Sequence, residues 1–303
     1  MILVLDMGSQ YTQLIAKRLR SLGFLSEVKS GKTTAEEIRK TPNLKGIIIS
    51  GSPLSVGSSF DPDKEIFNIP LPLLGICFGY QLMAKTFGGK VEAATHREYG
   101  AALVEKTSAG KLDPLTKTLS QSSRVWMSHG DSVTEIPPGA EMLLTSQGQA
   151  SCFKMKDKRL WGLQFHPEVH HSEEGDKLLK AFAQDICGQN ADWDMKSALE
   201  QTQAQLKKEL AGVDEVLCGV SGGVDSTVMA VLLSQVTKVR AIFVDHGFLR
   251  SYDLADLKNI FSHYPNIELE VVDASKEFWK ELNGVSDPEA KRKIMGRLFI
   301  ETF

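Results

Sequence analysis

The chain alternates short, unbroken apolar runs with stretches whose apolar residues recur every three or four positions. Ile2-Leu3-Val4-Leu5 is the first run. Leu14, Ile15, Leu19 and Leu22 then mark one helix face, with Lys17, Arg18 and Arg20 elsewhere and Gly23 as the stop. Gly46-Ile47-Ile48-Ile49 and Leu73-Leu74-Gly75-Ile76 are further runs. Strands that are apolar at every position are buried on both sides, so the pattern predicts a parallel sheet with helices on both faces. Shorter segments at 101–104, 124–126, 141–145 and 160–164 predict an antiparallel addition, which makes the sheet mixed. A helix over 176–186 closes this first α/β domain, residues 1–188.

Residues 189–194 are short and polar and read as a linker. A second domain, 195–303, opens with a helical run over 196–210. Strands at 215–220, 239–244 and 269–272, with helices between them, predict a Rossmann-like parallel α/β unit. Its last residues are an apolar helical run without cap, polar tail or turn, so this domain is expected to be incomplete and C-terminally truncated.

Composition narrows the class. At 303 residues the chain exceeds one ordinary core, and 42% apolar with 24% charged residues is the balance of a soluble globular protein. A net charge of -3 gives no electrostatic basis for nucleic acid or an anionic membrane as partner. No apolar run reaches membrane-spanning length, and the first strand begins without a basic leader. Cys77, Cys152, Cys187 and Cys218 are scattered, which fits a reducing cytoplasm better than a disulfide framework.

The first candidate chemistry lies where an apolar run meets a helical pattern, at Gly75-Ile76-Cys77-Phe78-Gly79. A free thiol with a pKa of about 8.5 is a weak nucleophile at neutral pH, and a helix N-terminus and a nearby histidine both favour the thiolate. The flanking glycines permit a sharp strand-to-helix turn, the nucleophile-elbow arrangement with sulfur in place of a hydroxyl. A buried core cysteine between two packing glycines is the other reading of these residues. Gly162-Leu163-Gln164-Phe165-His166-Pro167-Glu168 offers a base, His166, with Glu168 placed to orient it. Alone, that pair also reads as a surface histidine and a solvated carboxylate.

Together, Gly75-Ile76-Cys77-Phe78-Gly79-Tyr80-Gln81 and the distant Gln164-Phe165-His166-Pro167-Glu168 resemble the class I glutamine amidotransferase family. The resemblance implies that family's mixed α/β fold, with Cys77 as nucleophile, His166 as base and Glu168 as its orienter. Ser50-Gly51-Ser52-Pro53 is similar to the family's oxyanion loop, with Ser52 where glycine is usual. It implies the N–H groups of Gly51 and Phe78 as oxyanion donors. Gln81, and Ser128, His129 and Asp131 of Trp126-Met127-Ser128-His129-Gly130-Asp131, are implied to hold the glutamine substrate.

A second motif, Ser221-Gly222-Gly223-Val224-Asp225-Ser226-Thr227, follows a strand and opens a helix. Glycines at a helix N-terminus form an anion nest, the hydroxyls add donors, and Asp225 can bear on Mg²⁺. There is no G-x-x-x-x-G-K-[ST] string, which disfavours a Walker A protein. The string resembles the pyrophosphate loop of N-type ATP pyrophosphatases, implying ATP as substrate. Val244 and Asp245, in Phe243-Val244-Asp245-His246-Gly247, are implied to lie near the nucleotide, with His246 where asparagine is usual.

The order of the two motifs, with Val4-Leu5-Asp6-Met7-Gly8-Ser9-Gln10 and Asp287-Pro288-Glu289-Ala290-Lys291-Arg292-Lys293, resembles the glutamine-hydrolysing GMP synthetases over essentially the whole chain. That family aminates xanthosine 5′-monophosphate to GMP with glutamine, ATP and Mg²⁺. Its members continue into a region that forms homodimers and completes the xanthosine monophosphate site. The resemblance therefore implies glutamine hydrolysis here. A stand-alone glutaminase, an inactive regulatory remnant, or a chain working with a separate partner are the alternatives to full synthesis.

Overall fold

The computed structural model describes residues 1–57, 62–250 and 252–303, with the backbone alone for residues 94–97. The chain divides into two compact units, Met1–Asp194 and Met195–Phe303.

The first unit is built on one nine-stranded sheet: β1 Ile2–Asp6, β2 Ser26–Ser30, β3 Gly46–Ile49, β4 Leu73–Ile76, β5 Lys90–Lys106, β6 Ser122–Glu135, β7 Ala140–Ser146, β8 Gln149–Met155 and β9 Leu160–Leu163. The spatial order is β2-β1-β3-β4-β9-β8-β7-β5-β6. From β2 to β9 every pairing is parallel, and from β9 to β6 every pairing is antiparallel. The apolar pattern alone puts 160–164 in the antiparallel addition. The structure corrects this: Leu73, Leu74, Gly75 and Ile76 of β4 lie in parallel register with Leu160, Trp161, Gly162 and Leu163. β9 is thus the seam between the two halves.

Both faces of the sheet are covered. Ile2 and Val4 pack in one core with Ile15 and Leu19 of α1 (Thr12–Ser21) and with Leu178 and Phe182. Leu3 and Leu5 point into a second core with Ile38 of α2 (Ala35–Arg39) and Phe78, Leu82 and Met83 of α3 (Phe78–Thr86). That period-two division explains why the run is apolar throughout. Each such buried side chain is worth about 1.5–3 kcal/mol. The expected helix over 176–186 is α4, Gly175–Lys180, continued by a wider π-helical turn over Ala181–Ile186.

Residues 189–194 are held against the first unit rather than free. Gln189 Nε2 donates to the Leu25 carbonyl at 3.0 Å, and the Trp193 N–H donates to the Gly23 carbonyl at 2.9 Å.

The second unit opens with α5, Met195–Glu209. Its parallel three-stranded sheet, β10 Glu215–Val220, β11 Lys238–Asp245 and β12 Ile267–Asp273, runs in the order β10-β11-β12. The helices are α6 Val224–Ser234, α7 Asp253–Phe261, α8 Ser275–Leu282 and α9 Pro288–Thr302. Cys218, Val220, Ala241, Phe243, Leu257 and Phe261 form its main core.

Candidate active site

The ends of β1, β3, β4 and β9 meet at the carboxyl edge of the parallel half, where open α/β sheets place their ligands. Cys77 stands between β4 and α3 with φ 50 and ψ -96, a conformation that side chains other than glycine rarely adopt. Its N–H is tied to the Leu163 carbonyl of β9 at 2.7 Å. The glycines on either side have a packing role. A Cβ on Gly75 would stand 2.5 Å from the backbone of Gly79, and one on Gly79 would stand 2.7 Å from the Ile49 carbonyl. Phe78 opens α3, so its N–H belongs to the helix's first turn, which has no intrahelical acceptor.

His166 follows β9, and its N–H donates to the Trp126 carbonyl of β6 at 3.1 Å. Its Nδ1 is 2.7 Å from Glu168 Oε1, and both side chains are buried. Burial alone would lower the His166 pKa. The hydrogen bonds to Cys77 and Glu168, with the charges of both, outweigh it and raise it to about 10. Such a histidine is held as imidazolium beside the sulfur. Burial pushes the other three cysteines up, Cys187 to about 12, so they remain thiols.

Gly51 closes the third side. A Cβ placed on it would lie 3.0 Å from His166 Cε1, 3.5 Å from Ser9 Oγ and 3.7 Å from Cys77 Cβ. The loop is fixed from beneath by Ser50 Oγ, which accepts from the Met7 N–H at 3.0 Å and from Thr12 Oγ1 at 3.1 Å. The remaining predicted residues lie at the same place. Cys77 Sγ approaches the Ser128 carbonyl at 3.6 Å. Gln81 Nε2 donates to the Asp131 carbonyl at 2.7 Å, and His129 Nδ1 shares that acceptor at 3.0 Å.

Several residues to which the sequence assigns no role also shape the site. Gln164 is buried, with Nε2 3.9 Å from Cys77 Sγ and Oε1 accepting from Gln81 at 3.4 Å. Ser172 Oγ donates to the His166 carbonyl at 2.5 Å and accepts from the Trp126 N–H at 3.1 Å. Arg18 Nε donates to the Glu168 carbonyl at 3.2 Å, and the Tyr11 ring stands edge-on to His166 at 5.1 Å. Gln164 lies inside the His166 motif. The other three bear on the site through the tertiary fold, with no local signal.

In the second unit, the 221–227 loop joins β10 to α6. Gly222 has φ +78, and Gly223 is the N-cap. The Ser221 N–H donates to Ser226 Oγ at 3.1 Å, and Thr227 Oγ1 donates to the Gly223 carbonyl at 2.8 Å. Gly222, Gly223, Val224 and Asp225 are exposed. A cavity of about 430 Å³ beside the loop is walled by Val220, Ser221, Phe243, Val244, His246 and Phe299. Asp225 does not line it, and Asp245 Oδ1 is engaged by the Gly247 N–H at 2.9 Å. Among the described residues, no three His, Cys, Asp or Glu side chains gather to hold a metal. A single exposed carboxylate suits a magnesium ion bound mainly by a nucleotide's phosphates and water.

A cysteine on a strained strand-to-helix turn, a buried His–Glu pair just beyond the end of the neighbouring strand and a backbone loop facing both make a cysteine-centred acyl-transfer site on a mixed α/β sheet. The family model described as Glutamine amidotransferase class-I matches residues 3–186, and the chain belongs to that family. All of the chain aligns with GMP synthases [glutamine-hydrolyzing], at 46% identity over 310 residues with that of Bacillus cytotoxicus and 47% over 308 residues with that of Bacillus subtilis. It spans 59% of the length of these relatives. A solved structure of a candidate GMP synthase subunit from Thermoplasma acidophilum is similar at 27% identity and TM-score 0.54, covering 67% of this chain and 96% of that one. No helix among the described residues is long and apolar enough to cross a membrane.

Proposed function

We propose that the first unit hydrolyses glutamine at Cys77. We further propose that the chain is the glutamine-hydrolysing part of a GMP synthase-type ligase, whose ammonia aminates xanthosine 5′-monophosphate at the expense of ATP, releasing AMP and diphosphate. The observation that carries the first step is the buried 2.7 Å His166–Glu168 bond beside a cysteine held at φ 50. The thiolate of Cys77 attacks the side-chain amide carbon of glutamine. The oxyanion is received by the N–H groups of Gly51 and Phe78. Collapse breaks the C–N bond, His166 gives its proton to the departing nitrogen, and ammonia leaves a glutamyl thioester. His166 then takes a proton from water as the water attacks the thioester carbon, the C–S bond breaks, glutamate is released, and the thiolate beside the imidazolium is restored. Glu168 keeps the ring oriented through both steps. Gln81, Ser128, His129 and Asp131 form the wall for the substrate's α-amino and α-carboxylate groups.

The synthetase half of the reading is supported by the similarity to GMP synthases along all of the chain and by the exposed nest at 221–227. Ser221, Gly222, Gly223, Val224, Ser226 and Thr227 would take the ATP phosphates, Asp225 would share the Mg²⁺, and Val244 and Asp245 would border the nucleotide. Xanthosine monophosphate would need the part of the relatives' length that this chain does not span.

The test is glutamate release from glutamine by the purified chain and by Cys77→Ala, with and without ATP, Mg²⁺ and xanthosine monophosphate. Release by the wild type that disappears in Cys77→Ala is expected. Equal release by both would end the assignment. A rise with nucleotides would support the synthetase half.

A further inference from the structure

Gln164, the residue just past β9, is only 4% exposed, yet it brings a polar amide into the site. Its backbone N–H extends the ladder by donating to the Ser151 carbonyl of β8 at 2.9 Å. Its side chain reaches two groups. Oε1 lies 3.4 Å from Gln81 Nε2, and Nε2 lies 3.9 Å from Cys77 Sγ. The two ends of a carboxamide have nearly the same shape, so the neighbours decide which is which. The Asp131 carbonyl can only accept, so the Gln81 atom 2.7 Å from it is the nitrogen. That nitrogen has a second hydrogen to give, and the Gln164 atom beside it is therefore the oxygen. The nitrogen of Gln164 is left for the sulfur.

The sulfur meets groups of both kinds. The Ser128 carbonyl, 3.6 Å away, can only accept, and it favours the thiol. His166 is hydrogen-bonded to Cys77 and favours the thiolate. His166 is a transient donor, however, because it hands its proton to the departing ammonia. A carboxamide does not titrate, so Gln164 keeps its N–H through every stage. Gln164 and His166 stand two residues apart just beyond one strand, so both donors are positioned by the same segment.

We propose that Gln164 is a second, permanent hydrogen-bond donor to the Cys77 sulfur, holding the thiolate before it attacks and receiving it again when the thioester breaks. The inference deepens the glutaminase reading above and rests on it. When water attacks the thioester carbon and the C–S bond breaks, the electron pair stays with sulfur, and the Gln164 N–H is already aimed at it. No proton passes through Gln164, so its role is electrostatic. Gln81 then has two duties. It belongs to the wall for the substrate, and its Nε2 fixes which end of the Gln164 amide faces the thiolate.

Alkylation of Cys77 by iodoacetamide tests this in the absence of glutamine. The sulfur attacks the reagent's methylene carbon, an S–C bond forms and iodide leaves, and the thiolate is the reacting form. Cys77→Ala gives the background from Cys152, Cys187 and Cys218. Gln164→Met keeps the length of the side chain and removes its N–H. In Gln164→Met the pH of half-maximal alkylation should rise by about one unit, so that the rate below the midpoint falls about tenfold while the plateau at high pH does not fall. His166, Glu168, His129 and Glu98, the titratable groups around the site, are the same in both proteins, so the difference belongs to position 164. Equal midpoints in wild type and Gln164→Met would make Gln164 a packing residue and overturn the proposal, with the glutaminase intact if glutamate is released. Absence of glutamate release from folded wild type, with the midpoints shifted as expected, would end the glutaminase reading and leave the donor in place. Near-ultraviolet circular dichroism checks folding. If Gln164→Met does not fold, the wild type decides: the Gln164 side-chain N–H resonance should shift as the thiolate forms and lose that shift in Cys77→Ala, and a resonance indifferent to the thiol would overturn the proposal.

Discussion

A Cβ on Gly75 would meet the carbonyl carbon and oxygen of Gly79, each at 2.5 Å. The two glycines that bracket Cys77 therefore let the end of β4 and the first turn of α3 lie against each other. Gly75→Ala should force them apart. Overpacking of this kind costs about 1–3 kcal/mol, and the displaced sulfur should lower glutamate release more than about tenfold. Gly296→Ala in α9 is the control, since a Cβ there meets nothing within 4 Å. It should be neutral or stabilising by up to about 1 kcal/mol, because alanine is the better helix former. Urea midpoints and glutamate assays on both variants separate the effects.

The histidine should reveal its surroundings by titration. His166 is raised to about 10, with hydrogen bonds to Cys77 and Glu168 and their charges overcoming burial. A folded pKa above the unfolded one contributes stability that is fully present below about pH 6.5. That contribution is lost as the pH rises toward 10. Cys77→Ala removes one of the two supports, so the His166 ring should titrate at a lower pH than in the wild type. Histidine Cε1–H shifts followed by NMR would show this, and identical titration in the two proteins would place the support elsewhere. Glu168→Gln should reduce glutamate release by about 10²–10⁴-fold, the range of a lost general base or its orienter, with a smaller change in KM.

How much of this was legible in the sequence follows from where each signal resides. β1, β3 and β4 are apolar at nearly every position because both faces of the sheet are covered, so they could be read directly. β2, Ser-Glu-Val-Lys-Ser, is an edge strand whose only buried residue is Ser26, and no periodicity announces it. β9 could be read as a strand but not placed. Its parallel partner β4 lies more than 80 residues earlier, and register across that distance is set by the fold. β5 and β6 are far longer than their apolar centres suggest, because Lys90, Glu92 and Glu135 extend the ladder with charged residues. In the site, Cys77, His166 and Glu168 were visible because each sits in a compact motif. Ser172, Tyr11 and Arg18 were not, because each bears on the site through atoms that only the folded chain brings near.

Acid should loosen the segment behind the His166 loop. Partial burial alone would raise the Glu174 pKa, but the Lys177 ammonium, the Ser123 hydroxyl and the Ser120 N–H outweigh it and hold the carboxyl at about 2. The bonds from Ser120 and Ser123 join the start of α4 to the beginning of β6 and the residues just before it. A lowered carboxyl contributes stability that is present above about pH 4.5. It disappears as the pH falls toward 2. Glu174→Gln should cost about 1 kcal/mol at pH 7, kept modest by solvent screening of Lys177. The gap between variant and wild type should narrow as the pH falls below about 4.5 and be mostly gone at about pH 2. A gap of constant size in urea titrations across that range would mean the contribution is steric rather than ionic.

The last prediction concerns the 221–227 loop. Gly222 holds φ +78, and a Cβ there would lie 3.7 Å from the Phe243 ring, so space is available but the backbone conformation is unfavourable for alanine. Gly222→Ala should therefore cost about 1 kcal/mol of stability in the second unit through conformation alone. In the proposed phosphate site the turn would present the N–H groups at the start of α6 to the anion, so the variant should lose more in ligand binding than in stability. ATP with Mg²⁺ should raise the melting temperature of the wild type. The rise should be reduced in Gly222→Ala, and in Asp225→Ala it should lose its dependence on Mg²⁺. The Asp225 side chain is exposed, so Asp225→Ala should leave the ligand-free melting temperature unchanged. That separation of binding from stability is what a phosphate nest requires. A wild type whose melting temperature ignores ATP at millimolar concentration would make the loop a plain strand-to-helix junction.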